Sequence, residues 1–223
     1  MTELKKRPTD DQSAQPQKRV VKPFKLYLDG LKPFRDAWFI YEPIFVEHEL
    51  GFKIMAEILR KHVFNQNKVV VFGRECVAPR MEAMLGRTAG VQYMYAKNKL
   101  ITEEWSSDVE QLCQQMSAKY KVQFNACLAN YYRTGKDHVG RHADDENDME
   151  SDIIATVSLG APRFLRVFDK ETGEKQIQLI MRHGSVHVQL TGMQKIRKHE
   201  VPEQATVKGA RLSLTFRKLK LPK

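Results

Sequence analysis

His142 and Asp144 stand two residues apart in a 223-residue chain, at a spacing that suits a metal ion. They lie within residues 130–146, Asn-Tyr-Tyr-Arg-Thr-Gly-Lys-Asp-His-Val-Gly-Arg-His-Ala-Asp-Asp-Glu. In an extended segment, residues two apart project from one face, so one imidazole and one carboxylate converge on a single cation. Two ligands leave a metal mostly open. Three later histidines, His183, His187 and His199, fall in or beside expected strands and are candidates for a third ligand. Two His and one carboxylate leave open positions on one side of an octahedral metal, the arrangement of non-haem Fe(II) oxygenases.

A second chemistry-bearing stretch is Arg211–Arg217, Arg-Leu-Ser-Leu-Thr-Phe-Arg. As a strand it places Leu212, Leu214 and Phe216 on one face and Arg211, Ser213, Thr215 and Arg217 on the other. Buried cations are costly unless paired, so an inward face with two arginines and two hydroxyls calls for an anion. The competing reading turns that face to solvent. Such a strand spans roughly 20 Å, so the two arginines must lean toward each other to share one small dicarboxylate.

These residues need elements to hold them. Residues 46–62 carry apolar positions at Leu50, Ile54, Met55, Ile58 and Leu59, one face of an amphipathic helix. Residues 68–72 form a β-rich run stopped by Gly73, and 74–90 read as a long irregular stretch. Residues 91–95 read as a strand. Ser106 or Ser107 caps a second helix with Val109, Leu112, Cys113, Met116 and Tyr120 on one stripe. Beyond Val122 only strands are expected: 122–132, 153–159, 163–168, 175–181, 185–190, about 195–199 and 211–217. Two helices followed by many short strands indicate an α+β protein with a β-sandwich or jelly-roll core. In a jelly roll, strands far apart in sequence lie side by side, which lets a late histidine meet His142 and Asp144.

Apolar residues make up 42% of the chain and charged residues 29%, so most of it is expected to be globular. Residues 1–22 are different, with six Lys/Arg, three acids and few large apolar residues; a disordered basic tail is expected. Its clusters, Lys5-Lys6-Arg7 and Lys18-Arg19, suit a bipartite nuclear address, a phosphate grip or a solvated tail. The net charge of +10 favours a polyanionic partner, most often nucleic acid. Three widely spaced cysteines argue against a disulfide framework and a Cys-type zinc site. No apolar run approaches a membrane span and no signal-peptide pattern is evident, so no membrane association and an intracellular location are expected. The acidic run 144–152 lacks the glycine a calcium loop needs at its sixth position, where Met149 stands. Its last four residues read as solvated surface.

Taken together these residues resemble the AlkB family of Fe(II)/2-oxoglutarate dioxygenases, nearest to the animal homologue 2 and 3 branch. The resemblance covers residues 66–217. It rests on Asn130-x-Tyr132, His142-x-Asp144, His199 and Arg211-x5-Arg217 in that order, with Ile-Ala-Thr-Val-Ser-Leu-Gly at 154–160. It implies a double-stranded β-helix (jelly-roll) core at 122–223, with helices and a nucleotide-recognition lid at 23–121, one unit from 23 to 223. It implies that His142, Asp144 and His199 hold Fe(II) and are catalytic. Arg211 would take the distal carboxylate of 2-oxoglutarate, with Asn130, Tyr132, Ser213 and Arg217 completing that pocket. With O2, the implied reaction hydroxylates an N-methyl group on bases such as 1-methyladenine or 3-methylcytosine, releasing formaldehyde and succinate. That is direct-reversal DNA repair by an oxidative demethylase. RNA demethylation, a protein or small-molecule hydroxylase, and a non-catalytic nucleic-acid module are the alternatives.

The resemblance also assigns base contacts. Val71-Phe72-Gly73 resembles a hairpin finger whose aromatic wedges into the gap left by a flipped base; the plainer reading of Phe72 is a core residue. Arg80, after Pro79, matches the lid. Tyr95, with Tyr93, matches the aromatic wall of the base pocket, and Glu146 matches the acid near the base's exocyclic amine. The chain departs from the pattern at Gln204-Ala205-Thr206, where the duplex-acting branch has a basic triplet, and at Ser213, often Asn. Lys195, Arg197 and Lys198 are candidates to replace the triplet. A monomer is expected, nuclear if the host is eukaryotic.

Overall fold

The structure, a computed structural model, describes residues 26–71, 73–95 and 98–220; of Val70, Val71 and Tyr95 it describes the backbone alone. The tail at 1–22 and Phe72 therefore lie outside the described residues. The chain opens with β1 (Leu26–Leu28), β2 (Phe34–Arg35), β3 (Phe39–Glu42) and α1 (His48–Lys61). Next come β4 (Lys68–Val71), β5 (Arg74–Val77), β6 (Met81–Gly86), β7 (Gln92–Tyr95), β8 (Asn98–Ile101), β9 (Glu103–Glu104) and α2 (Ser107–Tyr120). The rest is β10 (Ala126–Tyr132), β11 (Val139–His142), β12 (Ile154–Gly160), β13 (Arg163–Asp169), β14 (Lys175–Met181) and β15 (Ser185–Gln189). A one-turn α3 (Met193–Ile196), β16 (Arg197–Val201) and β17 (Arg211–Arg217) close it.

Two sheets carry the site. One has five strands in the order β1-β14-β13-β16-β11, the other eight in the order β2-β3-β15-β12-β17-β10-β6-β9. This is the expected α+β jelly roll. β17 lies inside the larger sheet, between β12 and β10, and all seven of its residues are buried. Leu212, Leu214 and Phe216 join the apolar core that α1 and α2 cover with Ile54, Ile58, Val109, Leu112 and Met116. Each such buried side chain contributes about 1.5–3 kcal/mol. Arg211, Ser213, Thr215 and Arg217 point the other way and line a cavity between the sheets. The solvent-facing reading of that strand is thereby excluded.

The structure differs from the sequence expectation at several points. The stretch 74–90 is not irregular: it holds β5 and β6, and β6 pairs with β10 from Met81 to Gly86. Met-Glu-Ala-Met-Leu-Gly has no β-branched residue, and the pairing with β10 overrides its weak local preference. β1, β2 and β3 were not foreseen; β1 runs parallel to β14, and β3 pairs with β15. Ser106 is the N-cap of α2 but makes no side-chain cap bond. Part of the segment around 195–199 is the turn α3. Nor is the end of the acidic run mere solvated surface. Asp152 accepts the Gly192 N–H at 2.8 Å, and Glu150 pairs with Lys218 at 2.7 Å.

The departures from the family pattern have structural explanations. Gln204 accepts the Phe164 N–H at 2.7 Å and the Arg163 Nε–H at 3.3 Å, so it secures the start of β13. Arg197 is buried against Asp36, at 2.8 Å, and over the Trp38 ring. Lys195 is exposed and Lys198 half-buried.

Candidate active site

β11 and β16 are antiparallel, with His142 directly opposite His199. That register places the two rings 4.3 Å apart. The chain leaves β11 after His142, and Asp144 turns inward between them: its Oδ1 lies 3.7 Å from His142 Nε2 and its Oδ2 lies 3.4 Å from His199 Nε2. One ligand atom from each residue falls within 4.8 Å of the others. The remaining candidates lie elsewhere. His183 accepts the Gly160 N–H on Nδ1, faces the His48 carbonyl with Nε2 and stacks on Phe52. His187 lines the cavity but does not belong to this convergent group.

The ligand atoms are prepared for a metal. His142 Nδ1–H donates to the Gly140 carbonyl at 2.8 Å, which leaves the Nε2 lone pair facing Asp144. Burial, then the neighbouring His142, pushes the His199 pKa down to about 3, so its ring is neutral and able to ligate. Burial alone would raise the Asp144 pKa. Arg217, His199 and His142 outweigh it and hold the carboxyl well below the usual range. Arg217 Nη2 donates to Asp144 Oδ1 at 2.6 Å, and Arg217 Nη1 donates to the Tyr93 hydroxyl at 2.6 Å.

Two glutamines secure the same residue. The Asp144 N–H donates to Gln194 Oε1 at 3.0 Å, and Gln194 Nε2 donates to Gln189 Oε1 at 2.7 Å. Gln189 in turn hydrogen-bonds the Asp144 side chain. Both amides are buried. Outer partners of metal ligands typically govern about 10–100-fold in metal affinity. Gln194→Ala is therefore expected to weaken Mn(II) binding by roughly tenfold with the secondary structure retained; calorimetric titration checks it, and unchanged affinity would remove the clamp. Nothing in the sequence marked these glutamines, because neutral amides have no distinctive pattern.

The cavity runs from the three ligands to Arg211 and is also lined by Asn130, Tyr132 and Ser213. Arg211 is 1% exposed. Its Nη2 donates to Ser158 Oγ at 2.8 Å, and its guanidinium lies 5.1 Å from the Tyr132 ring centre. Among the described residues its Nε and Nη1 have no hydrogen-bond partner. Burial brings its pKa down to about 10, so it stays cationic at neutral pH. A buried guanidinium with two idle N–H groups fits a carboxylate. Arg211 and Arg217 do not lean on each other; they close opposite ends of the cavity.

The expected base-contacting residues differ in how they are placed. Tyr93 is fully buried, and besides Arg217 it hydrogen-bonds Glu146. Glu146 borders an open groove shared with Asp144, Asp145 and Gln194. Arg80 is buried rather than presented outward: Nη2 donates to Glu82 at 2.6 Å and Nε donates to Asn130 Oδ1 at 3.0 Å. It thus ties β6 to Asn130 on the cavity wall. The Tyr95 side chain lies outside the described residues.

A donor set of two imidazoles and a carboxylate suits Fe(II) with positions left open, and the idle Arg211 donors suit a dicarboxylate co-substrate. Comparison with known proteins agrees. Residues 40–217 match the model of the 2OG-Fe(II) oxygenase superfamily. The chain is 32% identical over 164 residues to the DNA oxidative demethylase ALKBH2 of Homo sapiens, covering 70% of this chain and 62% of that protein. It is 28% identical over 220 residues to the protein of the same name from Arabidopsis thaliana, covering 86% and 65%. It is 25% identical over 225 residues to the alpha-ketoglutarate-dependent dioxygenase alkB homolog 3 of Bos taurus, covering 95% and 77%. The chain spans 57–66% of the length of the ALKBH2 relatives from four species. The structure of OsALKBH1 superposes with a TM-score of 0.60 at 16% identity, over 83% of this chain and 100% of that one, which supports the fold. The chain belongs to the 2OG-Fe(II) oxygenase superfamily, in its AlkB family, whose members use Fe(II), 2-oxoglutarate and O2.

Proposed function

We propose that this protein is a DNA oxidative demethylase acting on bases of the 1-methyladenine and 3-methylcytosine type. The observation that carries the reading is the shared cavity. His142, Asp144 and His199 converge at one end, and Arg211, with two unpartnered buried N–H groups, closes the other. Fe(II) with 2-oxoglutarate and O2 would supply the oxidation of the N-methyl group, with succinate, CO2 and formaldehyde as products. His142, Asp144 and His199 would hold the metal. Arg211 would hold the distal carboxylate, with Asn130, Tyr132 and Ser213 along the co-substrate. Arg217 keeps Asp144 anionic and oriented, and the buried walls exclude water from the reacting atoms.

The nucleic-acid substrate is supported by the net charge of +10 and by relatives named DNA oxidative demethylase. A base must leave the stack to reach a buried metal. Glu146 borders the open groove beside Asp144 and Tyr93 is buried behind it, with Phe72, Arg80 and Tyr95 assigned to the lid. RNA is the alternative substrate. A monomer is proposed, with a nuclear location in a eukaryotic host. The unpaired cysteines Cys76, Cys113 and Cys127 are compatible with an intracellular protein. Among the described residues no helix is long and apolar enough to cross a membrane.

The test is incubation with Fe(II), 2-oxoglutarate and air, on single-stranded DNA, duplex DNA and RNA carrying 1-methyladenine. Formaldehyde and succinate are expected with DNA, and none in the oxygen-free control. Absence of product from all three substrates would overturn the demethylase reading; product from RNA alone would move it to RNA. Phe72→Ala is expected to lower turnover on duplex DNA by about tenfold, the scale of a lost base-stacking contact, and to spare single strands. Equal loss on both would remove the wedge assignment.

A further inference from the structure

We propose that His187 is a further contact to the co-substrate, donating a hydrogen bond to the dicarboxylate that Arg211 anchors. The inference rests on the co-substrate reading of the cavity. Every residue of β15 is buried. Val186 and Val188 enter the apolar core, while Ser185, His187 and Gln189 face the opposite sheet. His187 and Gln189 line the cavity. Gln189 bonds the Asp144 carboxylate at the metal end. Ser185 pairs in register with Ser158, whose hydroxyl accepts from Arg211. His187 lies between them, one alternation, or roughly 7 Å, from each neighbour. Its partners across the sheet are Thr156 and, beyond it, Thr215, both on the same cavity wall. A dicarboxylate reaching from the metal to Arg211 has to pass this row.

The side chain is poised for such a contact. His187 is 4% exposed, and its ring stacks on Phe39, with centres 5.6 Å apart and planes 21° apart. Among the described residues none hydrogen-bonds either ring nitrogen. Burial, then His199 and Arg211, pushes its pKa down to about 3, so the ring is neutral with one N–H to give. A core position needs no polar group here, since the valines on either side pack without one. The convergent metal-ligand group is complete without His187, so a fourth ligand is not its role.

The test uses the full chain loaded with Mn(II), which binds the same ligand types without turnover. Calorimetry measures Mn(II) affinity first and 2-oxoglutarate affinity second, for wild type, H187L and H187Q. The expected result is Mn(II) affinity within twofold of wild type in both variants. 2-Oxoglutarate should bind about tenfold more weakly to H187L, and H187Q, which can still donate, should recover part of that loss. If H187L does not fold, H187N, polar but too short to reach the same point, takes its place with the same expected loss. Wild-type 2-oxoglutarate affinity in H187L overturns the proposal, and so does a parallel fall in Mn(II) affinity. Failure of the wild type itself to bind 2-oxoglutarate is a different result: it removes the co-substrate reading and this contact with it.

Discussion

His142→Ala is expected to abolish metal-dependent turnover and leave the fold intact, whereas Asp144→Ala is expected to abolish turnover and also destabilise the protein. Both variants lose one of three ligands, so Mn(II) affinity should fall by more than the ~100-fold that loss of an outer partner can cost. The difference lies in what each side chain does without a metal. The His142 side chain is 27% exposed, and its hydrogen bond runs only to the Gly140 carbonyl two residues back. Truncating it should cost about 1 kcal/mol or less. Asp144 is 4% exposed and pairs with Arg217, itself 1% exposed. Removing one partner of a buried ion pair costs about 3–5 kcal/mol, although the Tyr93 hydroxyl still accepts from Arg217. For a domain of this size, that is a fall in melting temperature of roughly 10 °C. Circular dichroism melts and Mn(II) titration on the same samples decide it. Wild-type metal affinity in His142→Ala would remove the metal assignment. Equal melting of the two variants would show that the Asp144–Arg217 pair does not support the fold.

That division of labour was only partly legible in the sequence. The spacing that singles out His142 and Asp144 agrees with their convergence, and His199, the third ligand implied by the family resemblance, joins them through the pairing of β11 with β16. Period-2 alternation also gave the two faces of β17. It could not say which histidine joins the pair. His183 and His187 lie four residues apart, but Gly184, at φ +75°, turns the chain before β15 begins. His183 is left against α1, while His187 falls on the inward alternation. The strands β1, β2 and β3 have two to four residues each, too short for periodicity to register. β11 was equally hidden, since Val-Gly-Arg-His has one β-branched residue and a register irregularity. The role of Arg217 depends on a carboxylate 73 residues away in sequence, which no local pattern encodes.

Arg211→Met is expected to give a protein that is more stable and unable to use its co-substrate. The guanidinium is fully enclosed, with Nη2 on Ser158 and with Nε and Nη1 unpartnered. Holding a desolvated cation there without an anion is costly, and replacing buried charge by an apolar side chain of similar length is often neutral or stabilising by about 1–4 kcal/mol. Met181 and Leu165, which line the same end of the cavity, would pack against the new side chain. Binding should move the other way. Two charge-assisted N–H···O bonds to one carboxylate disappear, so 2-oxoglutarate affinity should fall by about 100-fold or more. Arg211→Lys separates charge from shape: it keeps the cation but loses the fork, and should bind at an intermediate level. The same experiment carries an internal control, because 2-oxoglutarate at saturating concentration should raise the melting temperature of the wild type and not of Arg211→Met. A less stable Arg211→Met would mean that Arg211 supports the fold through Ser158 and Tyr132. One that bound 2-oxoglutarate like the wild type would place the carboxylate elsewhere. A gain in stability matched by a loss of binding would show that the arginine is kept for its ligand at the expense of the fold.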